Sequence, residues 1–183
     1  FASKEFFRKV EERIIKPTIK GLKLDNLPYK GFVFIGLIMV NNEPYVIEYN
    51  VRMGDPETQV VLPRVKTDFL ELMISTAKGS LSECNMEILD ETYSNIVLVA
   101  GGYPENYEKG NIITGIPEDT ENTIIFHAGT KAVNNDVLTN GGRVLSIVSK
   151  GQDHNEAISK SYKVVEKVNY KDKNYRRDIG FDL

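Results

Sequence analysis

Glu48, Asn50 and Arg52 alternate with apolar residues in the stretch Ile47–Glu48–Tyr49–Asn50–Val51–Arg52. Read as a strand, this stretch sends successive side chains to opposite faces. Ile47, Tyr49 and Val51 then point into a core. Glu48, Asn50 and Arg52 form a row on the other face, with Cα atoms roughly 6–7 Å apart. A carboxylate and an amide oxygen at i and i+2 can lean onto one hard cation, and Mg²⁺ takes such oxygens at about 2.0–2.1 Å. A guanidinium beyond them offers a planar fork to phosphate or carboxylate. The run closes in Gly54–Asp55–Pro56–Glu57–Thr58–Gln59, a turn dense in polar groups. The same spacing also fits a half-buried strand whose solvent face is merely polar, and spacing alone leans to that plainer reading.

Other chemistry-bearing residues are more isolated. His127 has no Cys, Asp or second His at metal-ligand spacing and reads as a turn histidine. His154 sits beside a helix start and reads as surface. Cys84, the one cysteine, has no base near it in sequence and reads as a linker or core thiol. Gly101–Gly102 and Gly141–Gly142 suit tight backbone turns. Neither G-x-x-x-x-G-K-[ST] nor G-x-G-x-x-G occurs, so no glycine-rich phosphate loop is present. Lys160, Lys163, Lys167, Lys171, Lys173, Arg176 and Arg177 outnumber Glu166 and Asp172 near the end. They form either a solvated helix face or a rim that attracts anionic nucleotides.

These residues need elements to hold them. Ser3 can cap a helix in which Phe6, Phe7, Val10, Ile14 and Ile15 recur at three- and four-residue spacing, ending near Pro17–Gly21. Phe32–Val40 is an apolar run suited to a strand covered on both faces. Asn41–Asn42–Glu43–Pro44 is a turn, and Tyr45–Arg52 the returning strand of a hairpin. Asp68 and Glu71 have capping-box spacing, Thr67 can also cap, and Gly79 can close the helix between them. Thereafter the texture changes to short strands, Thr92–Ala100, Ile112–Ile116, Thr123–Ala128 and Arg143–Ser149, with a tight-hairpin signal at Asn140–Gly141. Asp153 and Glu156 start a last helix with Ile158, Tyr162, Val165 and Val168 on one stripe. The reading is an α+β chain. Residues 1–80 form an antiparallel hairpin with flanking helices. Residues 81–183 form a small, mainly antiparallel β domain with one long helix.

Composition sets outer limits. The 183 residues are 41% hydrophobic and 27% charged, enough apolar mass for a core and too much for a disordered chain. A net charge of −3 gives no basic field for nucleic acid or anionic lipid, so neither nucleic acid nor a membrane is expected as a partner. One cysteine allows no intrachain disulfide and fits a reducing, cytoplasmic setting. The longest apolar run is about half the ~20 residues that span a bilayer. The chain opens on Phe1 with no signal-peptide pattern, and reads as the tail of a longer protein.

Tyr29–Lys30–Gly31, Ile35–Gly36–Leu37 and the run Ile47–Gln59 resemble the closing stretch of the ATP-grasp fold. Ala100–Gly101–Gly102–Tyr103–Pro104, Tyr107–Glu108–Lys109–Gly110, Phe126–His127–Ala128–Gly129–Thr130, Thr139–Leu145 and Tyr175–Gly180 extend the resemblance. Together they point to the phosphoribosylamine–glycine ligase (glycinamide ribonucleotide synthetase) family of purine biosynthesis. The resemblance covers nearly the whole chain and implies a carboxy-terminal fragment: residues 1–80 close the ATP-grasp domain and residues 81–183 form the domain after it. The family's amino-terminal substrate domain, lid and hinge have no counterpart here, and no fused downstream enzyme is expected. The resemblance implies Mg²⁺ or Mn²⁺ on Glu48 and Asn50, with ATP as co-substrate and glycine and 5-phosphoribosylamine as substrates. Arg52 would be the catalytic cation, and Asp55 and Glu57 would position the glycine ammonium. The alternatives are another ATP-grasp carboxylate–amine ligase, a biotin-dependent carboxylase subunit, or a non-catalytic binding module of the same fold.

Overall fold

The computed structural model describes residues 2–181 and 183; Phe1 and Asp182 lie outside the described residues. Contacts divide the chain into two units, residues 1–55 with 67–87, and residues 56–66 with 88–183.

The first unit opens with helix α1 (Lys4–Val10), a π-helical turn (Glu11–Ile15) and helix α2 (Lys16–Leu24) in unbroken succession. Ser3 caps the start, its hydroxyl accepting from the Phe6 amide at 3.1 Å. The helix runs past the stop expected at Pro17–Gly21. Proline lacks an amide donor and its ring crowds the carbonyl four residues back. The π turn, in which the Lys16 amide donates to the Glu11 carbonyl, widens the ladder just before Pro17. Thr18 Oγ1 adds a bond to the Ile14 carbonyl at 2.7 Å. The helix ends at Asn26, in the left-handed region at φ 52°, with the Leu27 amide bonded back to Leu22 at 2.9 Å.

Strands β1 (Phe34–Val40) and β2 (Glu43–Asn50) form an antiparallel hairpin. Asn41 and Asn42 both have positive φ, 52° and 60°, as a two-residue type I′ turn requires. Pro44 therefore lies in the strand rather than in the turn, opposite Met39. The apolar end of β1 is not covered on both faces: Ile38, Met39 and Val40 are 50%, 38% and 45% exposed. Among the described residues of this unit only Val10, Ile14 and Leu72 are buried large hydrophobics. Lys9 of helix α1 and Arg13 of the π-helical turn tie this end of the chain to the hairpin, both ion-paired with Glu43 at the start of β2. The Lys9 ammonium holds the Glu43 carboxyl below its usual range.

Helix α4 (Phe69–Lys78) completes the unit, and the Phe32 and Phe69 rings stack at 6.3 Å. Asp68 caps it by accepting from the amides of Leu70 and Glu71. Thr67 does not cap. Its hydroxyl donates to the Asn85 carbonyl and accepts from the Glu87 amide, tying the following segment back. Gly79, at φ 79°, closes the helix as expected.

The second unit opens with the short helix α3 (Thr58–Val61) and a 3-10 turn (Leu62–Arg64). This segment precedes the sequence-based cut near residue 80 but packs with the later residues. Arg64 donates to the Leu89 carbonyl, its own carbonyl accepts the Leu89 amide, and Asn95 donates to the Pro56 carbonyl. The core sheet is antiparallel, ordered β3 (Thr92–Val99), β8 (Arg143–Gly151), β5 (Thr123–His127). A second antiparallel sheet is ordered β4 (Ile112–Ile113), β7 (Asp136–Thr139), β6 (Thr130–Val133). Strand β4 is shorter than the segment expected at Ile112–Ile116.

Asn140–Gly141 does not make a hairpin. It links β7 in one sheet to β8 in the other, where a Cβ on Gly129 would lie 2.5 Å from the Gly141 Cα. The tight turn is at Asn134, φ 52°, between β6 and β7.

Helix α5 (His154–Val165) packs on β3 and β8. The Asp153 carboxylate caps it, accepting from the Glu156 amide at 2.8 Å. Ala157, Ser161, Val165 and Val168 face the sheet, a stripe set around smaller residues than the expected one. The small residues let the helix approach closely: Ser161 Oγ lies 2.8 Å from Ser94 Oγ and also donates to the Ile147 carbonyl. The Lys173 ammonium donates to the Val165 and Val168 carbonyls and caps the end of the helix; burial pushes its pKa down.

Replacing the fully buried Ser161 by Leu is expected to destabilise the unit by about 2–3 kcal/mol through overpacking, and replacing it by Ala by about 1 kcal/mol. Urea unfolding curves, compared at unchanged slope, measure both.

Candidate functional site

The hairpin carries a bulge that sequence alternation does not show. Leu37 pairs with Val46 and Gly36 with Glu48, leaving Ile47 as the extra residue. Beyond the bulge, Ile35 pairs with Tyr49 and Phe34 with Asn50. Glu48 and Asn50 therefore share one face, as expected, but Ile47, Tyr49 and Val51 do not point into a core, and Tyr49 itself is 50% exposed. Ile47 is 66% exposed and Val51 72% exposed. The Tyr49 hydroxyl lies 2.9 Å from Thr18 Oγ1, which marks its side of the hairpin as the one turned to helix α2. Glu48 and Asn50 occupy the opposite side, Glu48 exposed and Asn50 half-buried.

Arg52 does not continue the row. Strand β2 ends at Asn50, and Val51 and Arg52 form a bend. The Arg52 guanidinium turns to the next residue, donating to the Met53 carbonyl at 3.0 Å. Asp55 is an exposed turn residue at the end of this segment of the first unit. Glu57 belongs to the second unit, where its backbone carbonyl accepts the Val60 and Val61 amides at the start of α3.

Sequence reasoning missed Tyr29 as a structural member of this site. Its hydroxyl bonds to the carbonyls of Phe32 and Val51, clasping the entry to β1 and the exit from β2. Gly31, at φ 147°, gives the ring room: a Cβ there would lie 2.8 Å from the Tyr29 hydroxyl. Lys30 donates to the Ala77 carbonyl at the end of α4. The signal was the Tyr29–Lys30–Gly31 triplet itself.

The donor set on the open face, one carboxylate and one amide oxygen, suits a hard divalent cation. Among the described residues no cluster of three or more His, Cys, Asp or Glu side chains is placed to hold a metal.

The remaining candidates have structural partners. His127 Nδ1 lies 3.0 Å from Thr130 Oγ1, and Cys84 Sγ is 2.9 Å from Ser75 Oγ. Of the basic tail, Lys160 pairs with Glu156, Lys171 with Glu108, and Arg176 with Asp178 through two bonds. Arg177 lies over the Tyr175 ring. Three of the seven basic residues of the tail are thus paired with acidic neighbours. The second unit also has a cleft of roughly 260 Å³ beside β3, lined by Glu57, Tyr93, Asn95, His154 and Leu183 among others. Burial and a bond to Glu91 push the Tyr93 hydroxyl up to about 12.

Two family models match in order along the chain. Residues 1–58 match the phosphoribosylglycinamide synthetase ATP-grasp (A) domain, and residues 93–182 its C domain. The phosphoribosylamine–glycine ligase of Fusobacterium nucleatum is 42% identical over 183 residues, covering 98% of this chain and 43% of its own length. The bifunctional purine biosynthetic protein PUR2,5 of Pichia angusta is 46% identical over 94% of this chain and 22% of its own. The crystal structure of phosphoribosylamine–glycine ligase from Thermotoga maritima superposes with a TM-score of 0.80 at 37% identity, covering 94% of this chain and 42% of that one. Biotin carboxylase from Campylobacter jejuni superposes at 0.64 with 19% identity, a likeness of fold alone. The chain thus spans about two fifths of the length of the single-function relatives it matches. With both domain models in family order and a hairpin that presents Glu48 and Asn50 on one face, the chain belongs to the phosphoribosylglycinamide synthetase family.

Proposed function

We propose that this chain supplies the metal-binding edge and the following domain of a ligase that joins glycine to 5-phosphoribosylamine at the expense of ATP. The observation that carries this reading is the shared open face of Glu48 and Asn50 in a chain of this family.

In the proposed reaction the glycine carboxylate attacks the γ-phosphoryl of ATP, giving glycyl phosphate and ADP. The amine of 5-phosphoribosylamine then attacks the acyl carbon, forming the amide and releasing phosphate. The first step brings an anion to an anion, so positive charge must be fixed in advance. Mg²⁺ or Mn²⁺ held by Glu48 and Asn50 would supply that charge at the ATP phosphates. Arg52, whose guanidinium donates to the Met53 carbonyl, would turn its fork to the transferred phosphoryl or to the acyl phosphate. Asp55 and Glu57 would receive the glycine ammonium. Tyr29 keeps the end of β2, and with it the approach to Arg52, in place.

In the full-length ligase, Glu48→Ala is expected to lower turnover by several orders of magnitude while the melting temperature stays within a few degrees of wild type. Glu48 is exposed and contributes little packing. Near-normal turnover at saturating Mg²⁺ would remove Glu48 from the site. The isolated chain is expected to bind ATP at millimolar strength or weaker, because each tenfold loss of affinity is only about 1.4 kcal/mol and several nucleotide contacts lie on the portion of the family fold that this chain does not contain. Calorimetry with ATP and Mg²⁺ tests this, and micromolar binding would show that the chain holds a complete nucleotide site.

A further inference from the structure

We infer that Gly36 is a positioning residue for Glu48, an inference that rests on the reading of Glu48 as a metal ligand. The bulge at Ile47 sets Glu48 directly across from Gly36. An ideal Cβ at Gly36 would lie 2.9 Å from Glu48 Cγ and 3.6 Å from Oε1. The Glu48 side chain therefore lies over the strand opposite, in space that any other residue at 36 would fill. The neighbouring Glu48 amide, at 3.7 Å, is in ordinary contact. Gly36 is not among the glycines with positive φ, so its backbone does not demand glycine. The atom in the way is on a rotatable side chain rather than on a strand. An added methyl group thus leaves the hairpin intact and drives Glu48 Cγ out of its present rotamer, displacing the carboxylate from the place it holds on the face shared with Asn50. Glycine at 36 and the extra residue at 47 act together: one sets Glu48 across from position 36, the other leaves that position empty.

The test is a double-mutant cycle over Gly36→Ala and Glu48→Ala in the full-length ligase. It is read by Mn²⁺ binding in the presence of ATP, followed by electron paramagnetic resonance, and by melting temperature. Gly36→Ala is expected to weaken Mn²⁺ binding about 10–100-fold, as loss of a ligand-orienting neighbour does. In the Glu48→Ala background the same change is expected to add nothing, because the crowded Cγ is gone. Wild-type Mn²⁺ binding by Gly36→Ala beside weak binding by Glu48→Ala overturns the positioning role and leaves the metal assignment standing. Wild-type binding by Glu48→Ala overturns the metal assignment and this inference with it. Should Gly36→Ala lower the melting temperature, Glu48→Ala is expected to restore it. A double variant as unstable as Gly36→Ala alone would show that position 36 acts on something other than Glu48.

Discussion

Main-chain pairing in the β1–β2 hairpin fixes which face carries Glu48 and Asn50. Asn41 and Asn42 turn the chain in two residues, which sets Val40 opposite Glu43. From that start the ladder would send Glu48 to the side of Leu37 and Val46. One unpaired residue, Ile47, moves it to the other side, across from Gly36. Asn50 follows by alternation, and the strand then ends, leaving Arg52 in the bend beyond it. The amino-terminal helix reaches the hairpin at both ends of β2. Lys9 and Arg13 reach Glu43 at one end of β2, and Thr18 reaches Tyr49 toward the other. A slip of one residue would break both attachments and reverse the open face.

The second unit solves a different problem. Strand β8 is flanked on both edges and buried along most of its length, with Val144, Leu145, Ile147 and Val148 fully enclosed. A strand so placed has no solvent to satisfy its polar groups, and its Ser149 is accordingly paired with Thr123 across the sheet; in neighbouring β3, Ser94 is paired with Ser161 of α5. The outer edge of β3 is partly closed by the tail, where Val99 and Asn174 exchange two main-chain bonds and the Tyr170 hydroxyl donates to the Val99 carbonyl. Burial pushes the Tyr170 hydroxyl above its usual range, so it remains a donor there.

Much of this was legible in the sequence where the signal is local. Ser3, Asp68 and Asp153 cap the helices they precede, Gly79 ends one, and the antiparallel β texture after residue 90 is as read. The shared face of Glu48 and Asn50 was legible because alternation holds from one to the other. What escaped was decided by partners distant in sequence. Nothing around Ile47 marks a bulge, since it exists only in the pairing with β1. Asn140–Gly141 has the composition of a hairpin turn, yet the flanking strands belong to different sheets. The stripe on α5 was read correctly at Val165 and Val168, but its first half was drawn through Ile158 and Tyr162, whereas the sheet accepted the small residues Ala157 and Ser161. Pro17 looked like a stop because a π turn cannot be seen in residue types alone.

The attachment of α1 to the hairpin is ionic and lies near the surface. A two-stranded ribbon is barely stable by itself, so whatever holds its start against a helix sets how sharply its far end is defined. Dissolved ions weaken such pairs, and the weakening grows as the screening length falls from about 10 Å at 0.1 M to about 3 Å at 1 M. Acid acts in the same direction: the Glu43 carboxyl is held below its usual range, so its pairing is present above that range and fades as pH falls through it. The definition of the face that carries Glu48 and Asn50 is thus coupled to the ionic strength of the medium through charges at the other end of the hairpin.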